Sequence, residues 1–349
     1  MIFMNSGNRA TAYHRLVLPT GLYPESPPWR THALEVPHGH VLHVEEGGNP
    51  EGICAVVLHG GPGSGSSPLL RRFFDPARYR VISIDQRGAG RSRPRGATAH
   101  NRTADLLDDL QRVREQLGVP RWLVVGGSWG ATLALAHAAS EPQAVAALLL
   151  RAVFLSSAEE IGAFFQDSAG RAPAAWARFA SVAPAGERHD MLGFLARGLQ
   201  QAPAGSDADL PRQLALAWWR WEQTLARGAS AATGKPPTAE PDRNALDALV
   251  DRYRVQSHYL LHRCWLDSPP LLDRLAALPR VPTLLLHSRD DRICPPRGAE
   301  AVHDRIAHSQ LQWVDGAGHD PAHPAMACAM VAALDSYARH GHFDRAPAP

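Results

Sequence analysis

The residues best suited to chemistry are a serine, a pair of acids and a histidine, which follow one another along the chain. Ser128 lies in Gly126–Gly130, which reads Gly-x-Ser-x-Gly, the acids are Asp290 and Asp291, and the histidine is His319. A histidine oriented by a carboxylate can take the proton of a serine hydroxyl, which makes the serine a nucleophile for acyl transfer. The order Ser…Asp…His is one of the orders known for such sites. The pattern therefore predicts a serine hydrolase.

The serine requires a sharp turn between a strand and a helix, and the flanking sequence predicts both. Arg121–Val125 is rich in Val and Leu, as buried strands are, and Ala131–Ala139 is rich in Ala and Leu, which favour helix. Glycines beside the serine allow strand and helix to pack closely, and a helix N-terminus favours developing negative charge. The alternative is a glycine-rich turn with an incidental serine.

A second glycine-rich loop, His59–Gly63, follows the apolar run Ile53–Leu58. Side chains cannot shield the backbone N–H groups of such a loop, so it can form a phosphate cradle or an oxyanion hole, or be a plain flexible loop. The Lys-Ser/Thr of a P-loop is missing, and the downstream Gly-x-Ser-x-Gly favours the oxyanion hole.

The elements that must position these residues alternate between strand and helix. The spacing of apolar residues in Asn101–Leu117 predicts a helix that is capped by Thr103 and stopped by Gly118. The alternation of apolar and polar residues in His32–Glu46 predicts a hairpin. This alternation is typical of an α/β fold with a mostly parallel central sheet and helices on both faces. The predicted core strands are Ile53–Leu58, Tyr79–Ile84, Arg121–Val125, Ala144–Val153, Val281–Leu286 and Gln310–Val314.

The middle of the chain has a different pattern, because strand-like runs are missing between Leu155 and Asp267. Helical segments rich in Ala and Trp predict an inserted helical cap, and such caps commonly shape the substrate pocket and exclude water. We expect a core formed by residues 1–155 and 269–349, with the cap at 156–268. The predicted cap helices are Ala174–Phe179, Met191–Gln200, Gln213–Leu225 and Leu246–Leu261.

Two further segments are predicted to lie at the surface. Residues 1–30 are polar and contain prolines, which favours a surface arm, and Gly228–Pro241 is rich in Gly, Ser, Ala and Pro, which predicts a mobile loop.

Composition excludes several classes of protein. The 349 residues carry a net charge of +2 without basic blocks, so neither nucleic acid nor an anionic membrane is expected as a partner. No apolar run reaches the ~18 residues of a membrane span, and the first residues lack the apolar core of a signal peptide. The four cysteines show no paired spacing, which favours a reduced protein and a cytoplasmic location.

Other polar residues are interpreted as structural. The closest histidine pairs, His38/His40 and His340/His342, flank a glycine in a predicted turn and a predicted tail, and no His-Glu-x-x-His pattern occurs, so no metal site is expected. Asp85 and Arg87 follow a strand and are expected to form an ion pair or bonds that stabilise the turn. Cys294, three residues past Asp291, is interpreted as a small apolar filler near the pocket.

The chain resembles the proline iminopeptidase (prolyl aminopeptidase) group of the α/β-hydrolase superfamily from about residue 20 to 338. The resemblance implies the α/β-hydrolase fold and a peptidase that removes N-terminal proline from small peptides or related amino-acid derivatives, without metal or cofactor. The motifs that carry it are Leu22–Pro24, Glu46–Pro50, His59–Gly63, Asp85–Ser92, Gly126–Gly130, Leu150-Arg151 with Phe154-Leu155, Arg289–Pro295 and Gly318-His319.

The resemblance also implies roles for single residues. Ser128 matches the nucleophile and His319 the base, and the spacing before Cys-Pro matches Asp291, rather than Asp290, to the acid. The N–H groups of Trp129 and of Gly61 or Gly60 would form the oxyanion hole. Arg151, in the matching Leu150-Arg151 motif, is included among the substrate-binding residues.

In this family, carboxylates of the cap hold the α-ammonium of the substrate, and the chain departs from that pattern. Trp218–Glu222 (Trp-Trp-Arg-Trp-Glu) matches the first carboxylate, so Glu222 is the candidate, but Gln256 stands where the family pattern has a glutamate. A glutamine still accepts a hydrogen bond, but the lost Coulomb attraction amounts to ~1–3 kcal/mol in a partly buried site. Weaker amine selection or a different substrate follows from this departure.

Three other functions are compatible with parts of this pattern. An amidase or esterase that acts on amino-acid derivatives or other small acyl groups is the nearest, because of Gln256. An epoxide or halide hydrolase is the second, but it is disfavoured because it needs a carboxylate nucleophile where this chain has Ser128. A receptor or scaffold without activity is the third, because fold does not fix function. The sequence indicates no oligomeric state.

Overall fold

One sheet forms the centre of the molecule. The computed structural model describes residues 21–166, 170–200, 209–227 and 241–344. Within these residues the sheet has eight strands, namely β1 (Arg30–Val36), β2 (His40–Gly48), β3 (Ile53–Leu58), β4 (Tyr79–Asp85), β5 (Trp122–Gly127), β6 (Val145–Arg151), β7 (Thr283–His287) and β8 (Gln310–Trp313). Their order is β1-β2-β4-β3-β5-β6-β7-β8. Only the pairs β1–β2 and β2–β4 are antiparallel among these described strands.

Side chains of the parallel strands alternate between two apolar layers. Val56 of β3 and Val124 of β5 point into one layer, and their neighbours Val57 and Val125 point into the other. Because a strand turns successive side chains to opposite faces, a strand covered on both sides must be apolar throughout. The helices on the two faces are α1 (Pro68–Arg71), α2 (Thr103–Gln116), α3 (Trp129–Ser140), α9 (Leu271–Arg274), α10 (Pro296–Arg305) and α11 (Pro324–His340).

This architecture confirms the predicted fold class. The hairpin of β1 and β2 turns at Pro37–Gly39, within the predicted segment. Two details differ. The N-cap of α2 is Arg102, whose N–H donates to the Asp105 carboxylate, while the Thr103 hydroxyl donates to the carbonyl of Cys264. The strand predicted at Val281–Leu286 is β7, which begins two residues later, at Thr283.

The middle segment carries helices with an aromatic core of their own. They are α4 (Ala158–Phe165), α5 (Pro173–Ala180), α6 (Met191–Gln200), α7 (Asp209–Ala226) and α8 (Arg243–Leu261). The indole of Trp218 stacks on Tyr253 at 4.5 Å between ring centres, which ties α7 to α8, and Trp221 stacks on Phe179 at 5.8 Å. Four of these helices coincide with predicted ones, and α4 was not predicted. The division into core and cap at 156 and 268 stays a prediction.

The predicted surface segments are only partly covered by the structure. Residues 1–20 and 228–240 lie outside the described residues, so the mobile loop is not addressed. The described part of the expected arm, residues 21–29, contains no helix or strand and lies mostly at the surface, as predicted. It is anchored by Leu22, which is buried in the layer that α11 covers, and it ends where β1 begins at Arg30.

Asp85 and Arg87 stabilise loops as expected, but through other partners than each other. Asp85 accepts hydrogen bonds from the N–H groups of Ser66 at 2.7 Å and Arg91 at 2.9 Å. Arg87 forms a buried two-point ion pair with Asp109 at 2.7 and 2.8 Å. Such a pair fixes the loop after β4 against α2.

The state of the cysteines and the character of the helices complete the description of the fold. All four cysteines are free. Among the described helices, none combines the length and the apolar character that crossing a membrane requires. The cytoplasmic location stays a prediction.

Candidate active site

Ser128 occupies the sharp turn between β5 and α3. Its backbone has φ +57°, a left-handed conformation that is uncommon for a residue with a Cβ. The turn depends on glycines, since a Cβ at Gly126 would lie 2.2 Å from the carbonyl oxygen of Gly130, and a Cβ at Gly130 2.1 Å from that of Leu58. Both contacts are with backbone, which cannot swing away. The glycines thus permit the close approach of β3, β5 and α3 that holds the serine at the end of the sheet.

Asp291 and His319 follow β7 and β8, and the structure joins them. The Nδ1 of His319 lies 2.8 Å from Oδ2 of Asp291. The other carboxylate oxygen of Asp291 accepts the N–H groups of Ile293 and Cys294, both at 2.9 Å. The carboxylate is therefore held by backbone on one side and free to orient the imidazole on the other.

Asp291 keeps its charge despite its burial. Burial raises the pKa of the carboxyl group, but the nearby His319 and His287 and the backbone N–H of Cys294 lower it by more, so that the net pKa lies below the ordinary value. Asp290 has a different role, because it accepts the hydroxyl of Ser288 and, at 3.3 Å, the N–H of Gly318. It shapes the loop that carries His319.

His319 is also held by its own backbone. Its N–H donates to the carbonyl of Ala226 at the end of α7, at 2.9 Å, and its carbonyl accepts Nη1 of Arg151, also at 2.9 Å. Arg151 is buried, and it lies in the cavity that Ser128 and His319 line. The predicted substrate-binding Arg151 is thus engaged in positioning the histidine loop.

Ser128 and His319 line one cavity. No hydrogen bond between their side chains occurs within the described residues, and Oγ of Ser128 instead lies 3.8 Å from Sγ of Cys294. Hydrogen bonds of catalytic groups are often long before substrate binds. Burial raises the pKa of the Cys294 thiol far above its ordinary value, which fits an inert apolar neighbour.

The predicted oxyanion donors lie beside the serine. Trp129 is the first residue of α3, so its N–H has no partner within the helix, and Gly60 and Gly61 line the cavity with Ser128. Among the described residues, the N–H groups of Trp129 and Gly61 have no hydrogen-bond acceptor. Both are available to a developing negative charge.

Two positioning residues are missing from the sequence analysis. The side chain of Gln86 accepts the indole N–H of Trp129 at 2.8 Å and donates to the carbonyl of His59 at 3.1 Å, which joins the two glycine-rich turns. His287 accepts the N–H of Val153 at 3.2 Å, and its other ring nitrogen donates to the carbonyl of Cys294 at 3.0 Å. Only the positions of Gln86 and His287 at strand ends indicate such roles in the sequence.

The cavity extends from Ser128 to α4, α7 and α8, and we call its part next to α7 and α8 the cap end. It has a volume of about 410 Å³ and an apolar wall formed by Phe154, Ile161, Phe164, Leu260 and Ile293. The described residues with ionisable side chains that line it include Arg151, Glu160, Glu222, Arg227, Arg252, His319 and Asp320.

Glu222 and Gln256 lie at the cap end, and the structure brings them together. Nε2 of Gln256 donates to Oε1 of Glu222 at 3.0 Å. Oε2 of Glu222 accepts Nη2 of Arg252 at 2.7 Å and the hydroxyl of Tyr253 at 2.9 Å. Glu222 and Gln256 are each 7% exposed. The candidate site for the substrate ammonium group is therefore already occupied by the guanidinium of Arg252, a residue that the sequence does not indicate.

The two histidine pairs have different surroundings. His38 stacks on His100 at 3.9 Å, whereas His40 bonds to the carbonyl of Ala99. His340 and His342 have exposed ligand atoms that lie, with those of Asp344, within 4.8 Å of one another. This group is at the end of α11, apart from the cavity.

The comparisons with known proteins agree with this fold. Residues 56–323, more than half of the chain, match the family model described as alpha/beta hydrolase fold. Among solved structures, VinJ is similar with a TM-score of 0.61 and 19% identity over 90% of this chain and 99% of its own. A proline iminopeptidase-related protein from Thermus thermophilus has a TM-score of 0.54 and 22% identity over 88% and 97%. These structures support the fold.

Sequence relatives are more specific. The proline iminopeptidase of Xanthomonas citri is 37% identical over 320 residues, 91% of this chain and 99% of the relative. That of Neisseria meningitidis serogroup A is 35% identical over 324 residues, 91% and 99%. That of Arabidopsis thaliana is 35% identical over 314 residues, 89% and 80%.

Fold and family model together define a hydrolase of the α/β-hydrolase class. Within that class, the chain belongs to the proline iminopeptidase family and is a serine hydrolase of the prolyl aminopeptidase type. The family resemblance of the sequence is thereby confirmed. The roles of the single residues remain proposals.

Proposed function

We propose that the protein releases an N-terminal proline, or a similar small residue, from peptides through an acyl-enzyme formed on Ser128. The observation that carries this proposal is the 2.8 Å bond between Asp291 and His319 in the cavity that also contains Ser128. The relatives named proline iminopeptidase support the choice of substrate.

The proposed reaction is a double displacement at the carbonyl of the N-terminal residue. His319 takes the proton of the Ser128 hydroxyl as its oxygen attacks, and the N–H groups of Trp129 and of Gly61 or Gly60 receive the charge of the tetrahedral intermediate. His319 then protonates the leaving amine, so that the C–N bond breaks and the acyl group stays on Ser128. Water, deprotonated by His319, hydrolyses this ester and restores the serine.

The cavity suits a small acyl group. Its volume of about 410 Å³ and apolar wall accommodate a pyrrolidine ring and part of a following residue. The guanidinium of Arg151 holds the backbone of His319, which leaves the imidazole fixed by Asp291 and by its own main chain. Such fixation keeps the reacting groups in position.

The substitution Ser128→Ala tests the proposal. We expect it to reduce hydrolysis of a prolyl arylamide by about 10⁴-fold or more with no loss of fold, since the nucleophile is removed. Ser64→Ala is the matched control, because Ser64 lines the same cavity away from the turn, and it should change the rate by less than about tenfold. Full activity of Ser128→Ala would exclude the assigned nucleophile.

A second candidate is an amidase or esterase with relaxed recognition of the N-terminal amine. The observation that favours it is the uncharged Gln256 next to a Glu222 that is already bonded. Free and N-acetylated prolyl arylamides separate the two candidates. Equal kcat/KM for both would support the second candidate and contradict an aminopeptidase.

A further inference from the structure

The cap end of the cavity contains a charge pair on adjacent helices. Glu222 of α7 and Arg252 of α8 meet at 2.7 Å, and the side chain of Arg252 is about a quarter exposed while that of Glu222 is almost buried. Burial lowers the pKa of Arg252, but the charge of Glu222 raises it by more, so the guanidinium stays charged. The two charges cancel within the site.

The remaining bonds leave one acceptor unused. Tyr253 donates to Oε2 of Glu222, and Gln256 donates to Oε1, which fixes the orientation of the Gln256 amide. Oε1 of Gln256 is then a buried acceptor without a partner among the described residues. A buried acceptor of this kind costs free energy until a donor reaches it. Because Gln256 lines the cavity, an N–H group of a bound substrate can donate a hydrogen bond to this oxygen.

The other carboxylates of the cavity offer no better place for an ammonium group. Glu160 accepts the N–H groups of Leu155 and Ser157, and burial raises its pKa, which disfavours its charged form. Asp320 accepts the N–H of Ala322 at 2.8 Å and is exposed in the loop beside His319, so solvent screens its charge. Glu222 is the carboxylate of the cavity that is bonded to Gln256, whose Oε1 has no partner among the described residues.

We propose that Arg252 determines substrate selection at this site, because its guanidinium neutralises Glu222 from within the protein. The N-terminal residue is then recognised by the shape of the cavity and by a hydrogen bond from its N–H to Gln256, and its positive charge contributes little. This inference rests on the proposed function and names the residue that sets its specificity.

The test compares two substrates of equal shape and different charge. Prolyl arylamide carries the ammonium group, and cyclopentanecarbonyl arylamide replaces its nitrogen by carbon. The selectivity is the ratio of their kcat/KM values, which general damage to the enzyme leaves unchanged. We expect a ratio below about 100 for the unsubstituted protein, because leaving one neutral buried acceptor without its donor costs about 1–3 kcal/mol. A ratio above about 10³ would exceed the cost of that one hydrogen bond and would overturn the proposal.

The substitution Arg252→Met should release the charge of Glu222 and raise the ratio about tenfold, mainly through a lower KM of the prolyl substrate. Arg252→Gln, which keeps a hydrogen bond to Glu222 without charge, should do the same and replaces the Met variant if that fails to fold. Adding Glu222→Gln to Arg252→Met should return the ratio to its original value. An unchanged ratio in both Arg252 variants would refute the role of Arg252.

Arg254→Met is the matched control. Arg254 lies on the same helix, but its guanidinium donates to the carbonyl of Leu199 and does not line the cavity. The selectivity ratio of Arg254→Met should equal that of the unsubstituted protein.

The substrates also separate this inference from the proposed function. No turnover of prolyl arylamide would contradict the proposed function. In that case the selectivity would be measured as the ratio of kcat/KM for the methyl esters of proline and cyclopentanecarboxylic acid. A change of this ratio in the Arg252 variants would support the role of the charge pair independently of peptidase activity.

Discussion

The two ends of the cavity are built differently. At the sheet end, around Ser128 and His319, most bonds involve main-chain groups. Asp291 accepts two main-chain N–H groups, and the main chain of His319 is bonded to the carbonyl of Ala226 and to the side chain of Arg151. At the cap end, side chains hold one another, since Glu222 is bonded to Arg252, Tyr253 and Gln256.

This difference separates chemistry from selection. A backbone cradle depends on the fold and survives most changes of neighbouring side chains. A cluster of side chains on two helices changes its net charge with a single substitution. We therefore expect substitutions at the sheet end to reduce kcat, and those at the cap end to change KM and the choice of substrate.

After Ser128→Ala, the largest loss of activity is expected for Asp291→Asn. Asparagine can present an N–H where His319 needs an acceptor, so the imidazole loses its orientation. We expect kcat for a prolyl arylamide to fall by about 10³–10⁴-fold with little change in KM. Asp290→Asn is the control, because Asp290 bonds to Ser288 and Gly318 instead. Equal losses in the two variants would contradict the assignment of the acid.

Gly130→Ala tests the scaffold of the sheet end. The new Cβ would lie 2.1 Å from the backbone oxygen of Leu58, so β3 or α3 must shift. We expect the free energy of unfolding in urea to fall by about 3 kcal/mol. Gly186→Ala, at an exposed site where the added Cβ meets nothing within 4 Å, should change it by less than about 0.5 kcal/mol. Equal stability of both variants would argue against the close approach at Ser128.

The pKa of Asp291 predicts a pH dependence of stability. Because its pKa is lower in the folded than in the unfolded protein, Asp291 stabilises the fold above its unfolded pKa. This stabilisation is lost as the pH falls below about 4, toward the folded pKa. The Asn variant should therefore lose less stability than the unsubstituted protein between pH 6 and pH 3, measured by urea unfolding. Parallel pH profiles would disagree with a lowered pKa.

The same contrast explains what the sequence could predict. Ser128, His319 and the glycines around them stand in short motifs next to strands, and the end of a parallel sheet brings successive strand ends together. The predicted sheet and the bond between Asp291 and His319 follow from this local information.

The cap end could not be predicted in the same way. Glu222 and Arg252 are 30 residues apart on separate helices, and their contact depends on the packing of Trp218 against Tyr253. No spacing rule indicates that Arg252, rather than Arg254, faces the cavity. The role of Gln86 depends in the same way on the approach of two distant loops.

The smallest effect is expected for Gln256→Glu, which adds a second carboxylate to the cap end. The two carboxylates would lie close together, since Gln256 and Glu222 are bonded at 3.0 Å. Like charges raise the pKa of such a pair, and Arg252 neutralises one of them, so only part of a net charge is gained. We expect kcat/KM for prolyl arylamide to rise about threefold relative to its uncharged isostere, and more at pH 8 than at pH 6.

Gln223→Glu is the matched control for this substitution. Gln223 lines the same cavity next to Glu222, but it is not bonded to the Glu222 carboxylate. A carboxylate there adds charge without joining the cluster, so its effect should be smaller and should not increase from pH 6 to pH 8. An equal gain in both variants would mean that the general potential of the cavity, and not the bonded group around Glu222, selects the amine. Selection would then be a property of the whole cavity wall, and the contrast between its two ends would concern only the chemistry.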